Sequence, residues 1–167
     1  MHAQLTRCRD LLRAATAGLD DETASVRRDG RWSIAEIVEH LDRTYTGTTK
    51  GFERCLASGE TRVTPASLRT RLRRFAVVTV GYFPTGIPAP RHVVPAGETS
   101  LAALLSKVDD DLAALDAAAN AVRQRFGGRP VLDHPILGPF DVDHWLRFHY
   151  VHTRHHQKQI LARRPRP

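Results

Sequence analysis

The segment from Val142 to Arg163 constrains this chain more than any other. It holds five of the nine histidines, His144, His149, His152, His155 and His156. On an α-helix, positions 142, 145, 149, 152, 156 and 159 form one seam, which here reads Val142, Trp145, His149, His152, His156 and Gln159. Three imidazoles therefore share the face that Val142 and Trp145 mark as buried. An unsatisfied polar group in a core costs about 1 to 3 kcal/mol, so this helix must pack against elements that give its histidines partners.

Three further segments have the same helical period. Leu5, Cys8, Leu12, Ala15 and Leu19 recur at spacings of three and four, which predicts a helix near residues 2–19. Ser33 and Glu36 form an S-x-x-E capping box, with Trp32 and Ile37 at the positions of a hydrophobic staple, and the helix they start runs to about Ser58. Leu101, Leu104, Leu105, Val108, Leu112, Leu115 and Val122 mark a third helix that ends before Gly127-Gly128. Asp141 is placed to cap the last helix after the turn HPILGPF, with Phe140 and Trp145 as its staple. Between the second and third helices lies a long crossover. Leu68, Leu72, Phe75 and Val78 suggest one short helix there, and Pro84, Pro88, Pro90 and Pro95 oppose regular structure after it. Strand signals are weak throughout. The expected fold is all-α, a four-helix bundle in a single domain over residues 1–167, with the long crossover between its second and third helices.

No stretch approaches the roughly 18 to 20 apolar residues of a membrane span, and charges interrupt the first residues too early for a secretory segment. The expectation is a cytoplasmic protein with no membrane partner. Cys8 and Cys55 make no CxxC and read as reduced, structural residues. The formal charge of +7 is local: no acidic residue occurs from Thr61 to Gly97, a stretch that carries Arg62, Arg69, Arg71, Arg73, Arg74 and Arg91. A solvated arginine-rich face is the simplest account, and a site for an anionic small molecule is the next. No aromatic residue interleaves the arginines between 62 and 74, which counts against a nucleic-acid platform.

A metal ion satisfies several buried histidines at once. His152 and His156 are four apart, about 5 to 6 Å between Cβ atoms, and from there two imidazoles can converge on one ion. A third ligand must come from a neighbouring helix. His40, beside the stripe Ile34, Ile37, Val38 and Leu41, is the candidate, and the small residues that follow it, Thr44, Gly47, Thr48 and Gly51, leave room above an ion. His149 is the competing ligand, although a hydrogen bond within the core also accounts for it. His155 points off the seam. His134 and His144 sit where backbone capping explains them, and Trp32 and Trp145 read as core.

The segments WSIAEIVEHLDRT (residues 32–44) and HPILGPFDVDHWLRFHYVHTRHHQKQI (residues 134–160) resemble the DinB/YfiT-like superfamily, and the resemblance extends over essentially the whole chain. It implies a four-helix bundle that binds a divalent metal, commonly zinc or nickel, through one histidine of the second helix and an H-x-x-x-H pair of the fourth. Carried over, these are His40, His152 and His156. Many relatives have RGQ after the last ligand, where this chain has Gln157-Lys158-Gln159.

Characterised relatives include enzymes that use low-molecular-weight thiols, which implies a thiol S-transferase or hydrolase-like activity. The small-molecule substrate or thiol would be activated at the ion. Arg69 and Arg73 of the crossover are then candidate contacts for an anionic group. The superfamily also implies a possible homodimer, formed through the apolar surface of the first and last helices. Two other classes remain open: a non-catalytic metal-binding or stress-related interaction module, and a basic nucleic-acid-binding protein.

Overall fold

Side-chain oxygens set where most of the helices begin. In a computed structural model, which describes residues 1–83 and 88–165, Asp20, Ser33, Ser67, Ser100 and Asp141 each accept a backbone N–H of the following turn. The helices are α1 (Ala3–Thr16), α2 (Asp21–Ser25), α3 (Ile34–Ser58), α4 (Leu68–Arg74), α5 (Leu101–Phe126) and α6 (Val142–Arg163). Both halves of the capping box at Ser33 and Glu36 are present, and Gly59 closes α3 in the left-handed region at φ 71°.

The long helices α1, α3, α5 and α6 form the four-helix bundle. α3 packs chiefly on α5 and α1 on α6, while α3 also meets α6 and α1 meets α5. α1 and α3, consecutive long helices in sequence, thus lie across the diagonal. Fully buried Leu5 and Leu12, Ile37 and Leu41, and Leu112 and Leu115 fill the space between them. Cys8 and Cys55 are free and buried. Burial pushes the Cys8 thiol up to about 12, so it stays protonated at neutral pH.

Several local features differ from the sequence expectations. α1 ends at Thr16 and not near residue 19, because Gly18 turns the chain at φ 72° and Asp20 starts α2. Leu19 still packs on the core, which is why its spacing imitates helix. In the crossover, α4 runs into a stretch of π-helix at Phe75–Val80, ended by Gly81 at φ 77°. The widened turn brings Val77 and Val78 into the core and leaves Leu68, Leu72 and Phe75 exposed. A 3₁₀ turn, Arg91–Val93, follows Pro90, while Pro84 lies outside the described residues.

The turn expected at residues 134–140 is part of a hairpin, in which β1 (Leu132–His134) pairs antiparallel with β2 (Gly138–Phe140). Strands of three residues are too short for alternation to show, and Pro135 and Pro139 disguise them further. Arg62 extends the pairing by bonding to Val131 O and receiving Asp133 N–H, at 2.8 and 3.0 Å. Trp145 Nε1 donates to Leu132 O at 3.2 Å and ties the hairpin to α6. Gly51 lets Leu132 rest against α3, since a Cβ there would lie 2.4 Å from Leu132 Cδ2. Among the described residues, no helix is long and apolar enough to cross a membrane.

The cap of α3 sets the register that carries His40. Ser33→Ala removes the acceptor for Glu36 N–H, and we expect a loss of about 1 kcal/mol and a melting temperature lower by about 2 to 4 °C. Thermal unfolding followed by circular dichroism measures it. An unchanged melting temperature would refute this role for the cap.

Candidate metal centre

α3 and α6 run antiparallel, and polar side chains bridge them at three successive levels. Tyr45 donates its hydroxyl to Thr153 Oγ1 at 2.6 Å, and Thr153 in turn donates to His149 O at 2.7 Å. One level away, His149 Nε2 lies 3.1 Å from Thr48 Oγ1. At the third level His40 meets His152 and His156. Their Nε2 atoms are 3.4 Å apart for His40 and His152, and 3.1 Å apart for His156 and His152. One donor atom from each of the three buried residues lies within 4.8 Å of the others.

The outer nitrogens decide what the inner ones present. His40 Nδ1 is 2.8 Å from the carbonyl oxygen of Val93, which can only accept, so His40 carries its proton there and turns a lone pair inward from Nε2. His156 Nδ1 donates to Gln159 Oε1 at 3.0 Å, and its Nε2 is likewise a bare acceptor. His152 Nε2 faces both lone pairs, and its buried Nδ1 has no partner. A single N–H at His152 would satisfy one neighbour and leave the other orphaned. A divalent cation at the meeting point satisfies all three, so the donor set fits a metal. Burial pushes all three imidazoles below their ordinary range, His156 to about 3, so they are neutral and ready to ligate at physiological pH.

The other candidates are engaged outside the triad, although His134 and His155 line the same cavity. His149, one helical turn before His152, is occupied with Thr48 and stacks on Trp145 with ring centroids 5.8 Å apart. His155 stacks on Phe83 at 4.9 Å and lies 3.0 Å from Gln159 Nε2, so Gln159 links it to His156. His144 bonds to Asp141, and His134 Nδ1 accepts the N–H groups of Ile136 and Leu137 in the hairpin turn. Arg69 and Arg73 are exposed on α4 and do not line the cavity beside the triad. The anionic group expected at these two residues would therefore lie on the surface of α4 and not in this cavity. The acids near His40 are engaged away from it: Glu36 with Ser33 and Arg27, Glu39 with Arg43 and the N–H groups of Ala96 and Gly97, Asp42 with Lys107.

The triad forms part of the wall of a cavity of about 770 Å³, within the usual range for small-molecule sites. Around the imidazoles the wall is aromatic. Trp32 lies 4.9 Å from His40, and Phe148 stacks on His152 at 5.1 Å. Two arginines of α3, Arg43 and Arg54, reach the cavity. The sequence reading did not single out Trp32, Phe83, Arg43, Arg54 or the Val93 carbonyl as site groups. Arg43 and Arg54 follow His40 at helical spacing, beside the small residues already noted, and that pattern could have located them. A backbone carbonyl from a crossover leaves no such signal.

A family model for the DinB superfamily matches residues 4–160. No curated protein and no solved structure matches the chain.

His149 sets part of the acid limit of stability. Burial pushes its pKa down to about 3, below an unfolded value of about 6.5, so between these values only the unfolded chain binds the proton. Its contribution is complete above about pH 6.5 and is lost as pH falls, by about 1.4 kcal/mol per pH unit. Urea unfolding of the metal-free protein across this window should show a shallower pH slope for His149→Gln, which keeps a polar group near Thr48. Equal slopes would disprove the assignment.

Proposed function

We propose, since the chain belongs to the DinB superfamily, that it holds one divalent metal ion, zinc or nickel, on His40, His152 and His156 and acts on a small molecule there. The observation that carries this reading is the convergence of three neutral imidazoles on one point in the wall of a substrate-sized cavity. Three neutral ligands leave an ion's charge uncompensated and its sphere open, and such an ion supplies a Lewis acid that makes a thiol or water nucleophilic near neutral pH.

The chain's own residues divide the remaining work. Val93 O and Gln159 Oε1 hold the proton of His40 and His156 on the outer nitrogen, which keeps the inner one a donor to metal. Trp32, Phe83 and Phe148 line the space beside the triad with apolar surface and exclude water from it. The reaction is attack by the thiolate sulfur of a low-molecular-weight thiol on an electrophile, which forms a thioether as the thiol loses its proton and the electrophile its leaving group, or a hydrolase-like counterpart with water as nucleophile, in the cytoplasm. A second reading, a module that holds metal without catalysis, is favoured by the engagement of Glu36, Glu39 and Asp42. None of them is available near the triad as a general base.

Metal analysis of the purified protein should find close to one divalent ion per chain. His156→Ala should lose most of it and His134→Ala should retain it, and full occupancy in His156→Ala would remove the assignment. S-transfer to an electrophile, screened with several cellular thiols, should stop on chelation and return with Zn²⁺ or Ni²⁺. Activity that survives complete metal removal would exclude the mechanism, and inactivity with every thiol would favour the non-catalytic module.

A further inference from the structure

The cavity is longer than the triad requires. His40, Thr44, Gly47, Gly51 and Arg54 of α3 all line it, and they fall on one helical face. With a rise of about 1.5 Å per residue, the floor from His40 to Arg54 is about 21 Å long. Because α6 runs antiparallel, His156 and Gln159 stand at one end and Trp145 at the other. Between the ends, a Cβ added to Gly47 would meet nothing within 4 Å, so the middle of the floor is open. Leu132, resting on Gly51, and Leu137 wall the far half with apolar surface.

The two ends differ in how their charged groups are engaged. Arg43, nearer the triad, is bound to the Glu39 carboxylate. Asp133, from the hairpin, also lines the cavity; it receives the backbone N–H and hydroxyl of Thr64 on Oδ2 at 2.9 and 2.6 Å, while its buried Oδ1 has no partner. Arg54 has no hydrogen-bond or ion-pair partner among the described residues, and it stands at the exposed mouth of the far end. An apolar trough with a metal-ligating cluster at one end and an uncommitted guanidinium at the other selects by length and by terminal charge.

We propose that the site takes an elongated amphiphilic ligand: a metal-seeking head at His40, His152 and His156, an apolar body along α3 past Gly47, and an anionic far end at Arg54. This rests on the metal reading above. Burial of each methylene along the trough strengthens binding by up to about fourfold until the chain outgrows the floor. The anionic end adds only about fivefold, because Arg54 is exposed, and salt weakens that increment.

The test loads the full-length protein with Co²⁺ and titrates it with ω-mercaptocarboxylates of increasing chain length and with uncharged alkanethiols of matched length, reading the thiolate-to-cobalt absorption. Affinity should rise with length, and long acids should exceed matched alkanethiols by about fivefold. Arg54→Gln should abolish that excess without changing the length dependence. Gly47→Phe should weaken long thiols by at least about tenfold and leave 2-mercaptoethanol unaffected, with cobalt content and melting temperature as controls. Gly47→Leu replaces it if the phenylalanine variant does not fold. Affinity independent of length, or a carboxylate advantage that survives in Arg54→Gln, overturns this inference while the metal reading stands, since short thiols still bind the cobalt. Absence of the absorption with every thiol at full cobalt content overturns this inference together with the thiol reaction, and failure to bind cobalt overturns the metal reading itself.

Discussion

The antiparallel contact between α3 and α6 governs this molecule, because it buries polar side chains that water can no longer satisfy. One of its three levels closes within the protein, Tyr45 with Thr153; at the next, Thr48 meets His149 Nε2 while the buried His149 Nδ1 has no partner. The third does not close, since Val93 O and Gln159 Oε1 fix the protons of His40 and His156 on the outside and leave two lone pairs aimed at His152. In a low-dielectric interior that arrangement is costly until a cation fills it. The same seam that joins these two helices thus holds a donor set that fits a divalent metal.

The crossover completes what the seam begins. Its segment after Pro90 delivers the Val93 carbonyl to His40, and the N–H groups of Ala96 and Gly97 bind Glu39. Those bonds commit a carboxylate next to His40 that would otherwise compete for an ion. Similar commitments hold Glu36 at the start of α3 and Asp42 against Lys107, although burial raises Asp42 to about 6. The site thereby remains a set of neutral nitrogens in an aromatic wall, with its coordination open toward the cavity.

Excess positive charge and the cavity are separated in space. Arg69, Arg71 and Arg73 of α4 face solvent beside exposed Leu68, Leu72 and Phe75, and Arg74 donates to Pro139 O, whereas the cavity draws its arginines from α3. Helical register explains the difference: a residue on α3 that shares a face with His40 faces what His40 faces, while α4 has its own orientation. A charge count over the crossover does not show which arginines reach the cavity, because composition carries no direction.

The sequence alone determined the four long helices, because caps at Ser33 and Asp141, the glycines at 59 and 127, and apolar spacing are local signals that act within a few residues. It also pointed to His40, His152 and His156, through helical geometry and the resemblance of two segments to the DinB superfamily. Tertiary structure alone decided the rest. It turned an apparent turn into a hairpin through Arg62 and Trp145, gave His149 to Thr48, and brought the Val93 carbonyl to His40 across 53 positions of chain. These depend on where separate elements dock, and docking follows from packing and the satisfaction of buried polar groups, which no local pattern of residues encodes.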